Sequence, residues 1–239
     1  MKSASVSLLV FGAHPDDIEF GCGGIVAKET RAGRAVHFVV CSRGEAGTNG
    51  TPPERTAEAE AAAQILRATL EFIELDGDAH LEIRAAHAVR LAGIIRRRRP
   101  AVILAPTPEP NQHPDHGRLG ALVRDATRLA RYGGLAELRE LAPHAADLLL
   151  FYALGAGAEP AASRPVLIDV SAPEIVTLWT AAMEAHASQM KTRNYVEYQL
   201  ARARTLGLSA GLDYAQPVWP NDPLVFDSLA MLGGAARKF

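Results

Sequence analysis

Two apolar runs, Val6 to Phe11 and Ala101 to Ala105, each lead into a cluster of imidazoles and carboxylates. The first cluster is Ala13-His14-Pro15-Asp16-Asp17 and the second, after a proline-rich loop, is His113-Pro114-Asp115-His116. Such side chains are costly to place beside buried strands unless something binds them, so the pattern predicts two strand ends that meet at one shared ion. That requirement restricts the fold to one that brings distant loops to the same end of a sheet.

The rest of the chain supplies such a fold. Val6 to Phe11 reads as a strand, and Gly21 to Gly33 as a helix stopped by Gly33. Ala35 to Cys41 reads as a strand, followed by a glycine-rich loop from Ser42 to Pro53 and a helix over Glu54 to Ala68 with a Pro-Pro start. A short strand at Leu70 to Leu75, a helix at Ala85 to Arg99 closed by Pro100, a strand at Ala101 to Ala105 and a helix at Gly117 to Arg131 complete the alternation. Strands at Leu148 to Leu154 and Val166 to Val170 and one or two helices within Pro173 to Leu206 follow. The prediction is a single α/β domain over 1–239, a Rossmann-like, doubly wound, mainly parallel sheet of order 3-2-1-4-5 with helices on both faces. In that order strands 1 and 4 are neighbours whose connections diverge, and the loops after them open a crevice. The segment from Gly207 onward, rich in Gly, Pro and Asn, is expected to wrap the surface or line the mouth of a site.

Composition narrows the function. A net charge of −2 argues against a protein that holds nucleic acid or anionic membrane through bulk electrostatics. The two cysteines, Cys22 and Cys41, have neither zinc-knuckle nor redox spacing, which favours reduced thiols and the cytoplasm. No apolar stretch approaches the roughly 20 residues of a membrane helix.

His14 and Asp17, three apart on a turn into a helix, can point at one centre, with Asp16 between them. A loop entering a helix can turn His116 inward while His113 stays nearby. Two nitrogens and one carboxylate oxygen leave an open position, as at a catalytic zinc site, where water becomes acidic enough to yield hydroxide near neutral pH. Asp16 is placed to take a proton from that water and return it to a leaving amine, and His113 to stabilise an oxyanion.

Ala-His-Pro-Asp-Asp followed by His-Pro-Asp-His resembles the LmbE or PIG-L family of zinc-dependent N-acetylglucosamine de-N-acetylases. The likeness extends over Gly12 to Gly24, Gly44-Glu45-Ala46-Gly47-Thr48, Glu54-Arg55 with Glu58, and Ser188-Gln189. The Asn49-Gly50-Thr51 run is most similar to the bacillithiol-type branch, which removes acetate from N-acetylglucosaminyl malate. The resemblance implies Zn2+, or Fe2+ in the cell, held by His14, Asp17 and His116. It also implies Asp16 as general base, His113 as electrostatic stabiliser and Arg55 against the sugar. A homo-oligomer, trimer or hexamer, is implied as well. Pro110-Asn111-Gln112 and Tyr214-Ala215-Gln216 depart from the bacillithiol pattern, the second removing a carboxylate expected near the mouth.

Two other functions fit parts of the chain. An acidic pair after strand 1 also holds Mg2+ in phosphate-handling regulators, but two imidazoles in the second loop favour zinc. A catalytically silent sugar-binding protein would share every motif. Among lesser signals, Arg96 to Arg99 reads as a solvated helix end. Arg55 is expected to pair with substrate or with Glu58. Gly21, Gly23 and Gly24 do not make a dinucleotide loop, because Gly12 to Asp17 puts bulky and acidic groups where a pyrophosphate would sit. Cys22 reads as a packing residue, and His186, Tyr195 and Tyr198 as core or interface residues on a helix, with one of them reaching the site as the alternative.

Overall fold

β1 (Leu8–Gly12) lies at the centre of the sheet and shows why the chain folds as it does. Its side chains alternate between two buried layers, Leu9 and Phe11 on one face, Leu8 and Val10 on the other. A strand buried on both faces needs helices on both sides. The computed structural model, which describes residues 7–110 and 113–235, provides them.

The elements run β1, α1 (Asp17–Arg31), β2 (Val36–Val40), α2 (Pro52–Ile65), β3 (Thr69–Phe72), α3 (Ala85–Arg98), β4 (Val102–Pro106), α4 (Pro114–Leu129), β5 (Leu148–Tyr152), β6 (Val166–Asp169), α5 (Pro173–Glu184), α6 (Tyr195–Ser209), β7 (Ala215–Pro220) and α7 (Leu229–Ala235). The sheet order is β3-β2-β1-β4-β5-β7-β6, and the first five strands are parallel. The expected 3-2-1-4-5 sheet is therefore present, with α3 and α4 on one face and α1, α2 and α5 on the other.

The tail differs from expectation. Instead of wrapping the surface, residues 215–220 insert as β7 between β5 and β6, antiparallel to both. Trp219 is buried in the core beside Phe151. Gln216 is buried too, and its Oε1 accepts the Ile25 N–H at 2.8 Å. That bond has a local cause, because α1 is kinked at Cys22 (φ −146°, ψ 20°) and the turn after the kink needs an acceptor for its freed N–H.

The glycines before and after the kink are packing devices. A Cβ at Gly21 would stand 2.2 Å from the Tyr152 ring, and one at Gly23 2.6 Å from the Trp179 indole. Tyr152 then donates its hydroxyl to Phe11 O and Trp179 its indole N–H to Glu19 O, which locks α1 against β1 and α5. Helix α1 begins earlier than the sequence pattern suggests, at Asp17 itself, so the first cluster sits on the helix start.

The arginine run at the end of α3 is a second correction. Arg97 to Arg99 are exposed, but Arg96 is buried and donates to the carbonyl oxygens of Ala130, Tyr132, Leu138 and Leu141. It fastens α3 to the segment after α4.

Candidate metal centre

All parallel strands end on the same side of the sheet, and the loops after β1, β2, β3 and β4 meet there around a cavity of about 390 Å3. His14, Asp16, Asp17, Arg55, His113 and His116 all line it. So do Asp78 and Ala79, from the loop after β3, and Tyr195 and Gln199 from α6.

The backbone fixes Asp17 first. Its Oδ2 accepts the N–H groups of Ala13 and His14 at 2.8 and 2.9 Å, so the carboxylate folds back over the turn that carries it. Oδ1 is left facing His116 Nε2 at 3.1 Å. His116 Nε2 is in turn 3.2 Å from His14 Nδ1, which is 3.6 Å from Asp17 Oδ2. Two imidazole nitrogens that face each other this closely must hold either a proton or a cation between them.

The donors fit a cation. Ligands at about 2.0–2.1 Å from a tetrahedral zinc-sized ion lie roughly 3.3–3.5 Å apart, which the 3.1, 3.2 and 3.6 Å separations here bracket. His14 Nε2 points away from this cluster, 3.0 Å from Asp78 Oδ1 and 3.4 Å from Asp115 Oδ2. A carboxylate behind the distal nitrogen holds the proton there and leaves Nδ1 as the donor, as around metal-bound histidines. The alignment is imperfect, since His14 Nε2, Asp78 Oδ1 and Asp115 Oδ1 are buried without a well-directed hydrogen bond. Burial alone would depress the His14 pKa, but Asp17, with Asp115 and Asp78, lifts it well above the ordinary imidazole value. Burial likewise pushes Asp17 up, and His116 and His14 outweigh it and hold the carboxyl well below the usual range. A site with these affinities for positive charge keeps a proton where it lacks a metal, and metal binding would release that proton.

Asp16 sits beside this group in a strained conformation (φ 112°, ψ −27°) that non-glycine residues seldom adopt. It occupies the N-cap position of α1 but makes no cap bond. Its Oδ2 instead accepts from Arg55 Nη2 at 3.3 Å. Burial and the adjacent Asp17 charge push the Asp16 carboxyl up to about 6, against the opposing pull of Arg55, His186 and His14.

Arg55 is buried and donates to Gly44 O and Pro15 O as well. Its protein partner is thus Asp16, not Glu58, which binds the Ser188 N–H and hydroxyl at 2.7 Å each. Gly44 (φ +69°) must lack a side chain, because a Cβ there would lie 2.0 Å from the Arg55 guanidinium. The Gly44 to Thr48 loop after β2 thus owes its glycines to Arg55.

His113 caps α4, its Nδ1 accepting the Asp115 N–H at 3.3 Å. That bond assigns the proton to Nε2. Burial, then the neighbouring His14 and His116, lowers its pKa below the ordinary value, so the ring is a neutral donor at neutral pH.

Asp78 is a member of the site that the sequence pattern does not announce. Its Oδ2 accepts the Ala46 N–H at 3.2 Å, its N–H donates to Glu45 Oε1 at 2.8 Å, and the next N–H, of Ala79 (φ +67°), donates to Asp115 Oδ2 at 2.8 Å. The β3 loop therefore joins the β2 loop to the second cluster. Of the three helix residues read as core or interface with one reaching the site as the alternative, Tyr195 lines the cavity, whereas His186 is fully buried beside Glu19, 3.4 Å away. Cys22 and Cys41 are free, buried thiols, both pushed up by burial, as expected of packing residues. Asn111 and Gln112, the departure preceding the second cluster, lie outside the described residues.

Residues 9–127, about half of the chain, match the family described as PIG-L, GlcNAc-PI de-N-acetylase. The chain belongs to the PIG-L family. A solved structure, the conserved protein TT1542 from Thermus thermophilus, superposes with a TM-score of 0.81 and 33% identity, over 92% of this chain and 97% of that one. A 4-oxalmesaconate hydratase of Pseudomonas putida is 30% identical over 146 residues, 56% of each chain. A diacetylchitobiose deacetylase of Thermococcus kodakarensis is 28% identical over 158 residues, 61% of this chain and 59% of that protein. The chain thus matches little more than half the length of these two curated relatives.

Proposed function

We propose that this PIG-L family protein is a metal-dependent hydrolase that removes the acetyl group from an N-acetylglucosamine-containing substrate, releasing acetate and a free amine. The observation that carries this reading is the convergence of His14 Nδ1, His116 Nε2 and the Asp17 carboxylate within 3.1–3.6 Å at the floor of a cavity, with Asp16 beside them. The family description and the chitobiose deacetylase support the substrate class. Zinc is the proposed ion, with Fe2+ the alternative, because an N2O set with neutral imidazoles suits both.

Bound by His14, Asp17 and His116, such an ion would supply Lewis-acid polarisation of the acetamide carbonyl and a more acidic water. The chain's own residues do the rest. Asp16 accepts one proton of the attacking water and delivers it to the nitrogen as the C–N bond breaks, so water and amide become acetic acid and amine with no net proton change at Asp16, and the acid then ionises to acetate as the amine takes up a proton. Arg55 holds that carboxylate in its strained position and, facing the same cavity, meets the sugar. His113 donates a hydrogen bond from its Nε2–H to the oxygen that gains charge as the carbonyl carbon becomes tetrahedral. Asp78 and Asp115 keep the His14 tautomer that ligation needs.

The rest of the reading places the protein in the cytoplasm as a homo-oligomer, trimer or hexamer, acting on a small molecule without nucleic acid or membrane. The two free buried thiols support the cytoplasmic placement, and the homo-oligomer rests on the family resemblance; among the described residues no helix is long and apolar enough to cross a membrane.

The experiment is a free-amine assay on N-acetylglucosamine conjugates with purified, metal-loaded protein. His116→Ala should lose the metal, measured by elemental analysis, and at least about a thousand-fold in rate, which corresponds to about 4 kcal/mol. Full activity in a metal-free preparation would refute the reading. The 30% identity to a hydratase favours one rival, addition of water across a C=C bond by the same base and cation. Loss of ultraviolet absorbance from unsaturated oxo-tricarboxylates of the oxalmesaconate type, with no amine released from any sugar, would select it.

A further inference from the structure

The His14 ring faces two groups of donors, one at each nitrogen. Nδ1 looks toward His116 and Asp17, while Nε2 lies 3.0 Å from Asp78 Oδ1 and 3.4 Å from Asp115 Oδ2. His113 closes the second group, its Nε2 3.5 Å from Asp78 Oδ1. His14, Asp78, His113 and Asp115 each offer one donor atom, and these atoms all lie within 4.8 Å of one another. Separations of 3.0, 3.4 and 3.5 Å are near the roughly 3.3–3.5 Å between ligands around a tetrahedral zinc-sized ion.

An ordinary buried ion pair would satisfy its own atoms, and this group does not. His14, Asp78 and Asp115 are 6%, 4% and 2% exposed, yet His14 Nε2, Asp78 Oδ1 and Asp115 Oδ1 lack a well-directed hydrogen bond. Buried polar atoms left in that state are costly unless something else binds them. Both carboxylates are also held from behind, Asp78 Oδ2 by the Ala46 N–H at 3.2 Å and Asp115 Oδ2 by the Ala79 N–H at 2.8 Å, as metal-ligating carboxylates are. Asp115 Oδ1 also faces Arg118 Nη1 at 3.6 Å, but that side chain is 41% exposed and its pull is weakened by water. Asp78 and His113 line the first cavity, which gives an ion a path to the group.

We infer that His14 Nε2, Asp78, His113 Nε2 and Asp115 form a second site for a divalent transition-metal cation, and that filling it silences the enzyme. Two imidazoles and two carboxylates suit Zn2+ or Co2+ better than Mg2+ or Ca2+, which take oxygen ligands. Binding there displaces protons. His14 releases its Nε2 proton to solvent and becomes a bridge between the two sites. His113 loses its proton from Nε2 and regains one at Nδ1, giving up the bond that Nδ1 accepts from the Asp115 N–H. Both changes oppose binding, so the second site is weaker than the first and fills when metal is in excess. With Nε2 bound, His113 has no proton to offer the developing oxyanion. The effect on rate rests on the proposed deacetylase reading, while the site rests on the geometry of these four side chains alone.

The test titrates metal-free protein with Zn2+, measuring bound metal by equilibrium dialysis and elemental analysis and, in the same samples, acetate release from N-acetylglucosamine conjugates. Wild type should bind two ions per chain in two steps. Its rate should be full at one ion and fall about a hundred-fold as the second step saturates, the usual worth of an oxyanion donor. Asp78→Asn and His113→Gln should each stop at one ion. Protein already holding one Zn2+ should, on adding Co2+, give the intense visible absorption of a four-coordinate site in wild type and in neither variant. His113 is partly exposed, so His113→Gln serves where Asp78→Asn does not fold. Two ions and the Co2+ band, with no acetate released from any conjugate, would retain the site and refute deacetylation. Uptake by wild type that stops at one ion, a second ion that persists in both variants, or a deacetylation rate unchanged at two ions per chain overturns the inference.

Discussion

Arg55 and Arg96 are both buried arginines, 5% and 3% exposed, yet they differ in what surrounds them. Arg96 donates to four carbonyl oxygens at 2.6–3.1 Å and forms no ion pair among the described residues. Arg55 donates to two carbonyl oxygens and to a carboxylate held in a strained backbone, and its Nε is buried without a partner. A buried charge by itself therefore does not mark a functional site. Incomplete satisfaction does, together with a neighbour whose protonation is displaced from its ordinary range. The metal end of the cavity repeats the pattern, with His14 Nε2, Asp78 Oδ1 and Asp115 Oδ1 all poorly partnered.

The sharpest way to break this contrast is to change Asp16. Asp16→Asn keeps the shape and the acceptor for Arg55 but cannot take a proton. Under the proposed mechanism kcat falls about a hundred- to ten-thousand-fold, the usual worth of general acid-base catalysis, while metal content and melting temperature stay near wild type. Retained kcat would show that the strain at Asp16 serves the fold and that Arg55 is as structural as Arg96.

Arg96→Met tests the other side. It strips four carbonyl oxygens of their shared donor beside the end of α4, and two of them, of Ala130 and Leu138, belong to buried residues. The expected cost is about 3 kcal/mol. For a chain of this size that lowers the melting temperature by roughly 6–12 °C. Assayed well below melting, kcat and KM should be unchanged. A change in KM at low temperature would place Arg96 in the functional network after all.

The same contrast explains what the sequence could reveal. The 3-2-1-4-5 sheet was legible because each strand run is followed by a turn signal and a helical segment, and the grouping of His14, Asp16, Asp17, His113 and His116 at one cavity was legible because they cluster at two strand ends, while spacing alone does not choose between His113 and His116 as a ligand. Arg96 looks like any other member of an arginine run, since nothing local distinguishes a side chain that turns inward to distant carbonyls. β7 is hidden by its own composition: Pro217 and Pro220 within a six-residue strand read as a loop, and only pairing with β5 and β6 makes the segment extended. Asp78 sits in Asp76-Gly77-Asp78-Ala79, an ordinary turn by composition. The signal that would have found it is topological, because the rule that places the loops after β1 and β4 at one crevice also brings the loop after β3 to it. Tyr195 carries no local signal, since its place at the cavity depends on how α6 docks.

Arg55→Lys gives the smallest of these effects and separates the two duties of that residue. A guanidinium can reach Gly44 O, Pro15 O and Asp16 Oδ2 together because its donors fan out in one plane, whereas an ammonium is a point charge at the end of a flexible stem. Lysine therefore preserves the positive charge beside Asp16 but loses the grip on at least one carbonyl. If the charge matters most, kcat falls only about ten-fold, near 1.4 kcal/mol, and stability drops by a comparable amount. If the fork itself is required to hold Asp16 at its strained φ, Arg55→Lys instead approaches the loss seen for Asp16→Asn. Measuring kcat for the two single variants and the double variant decides between these: additive losses mean that the charge and the base act independently, and a double variant no worse than Asp16→Asn means that Arg55 works through Asp16 alone.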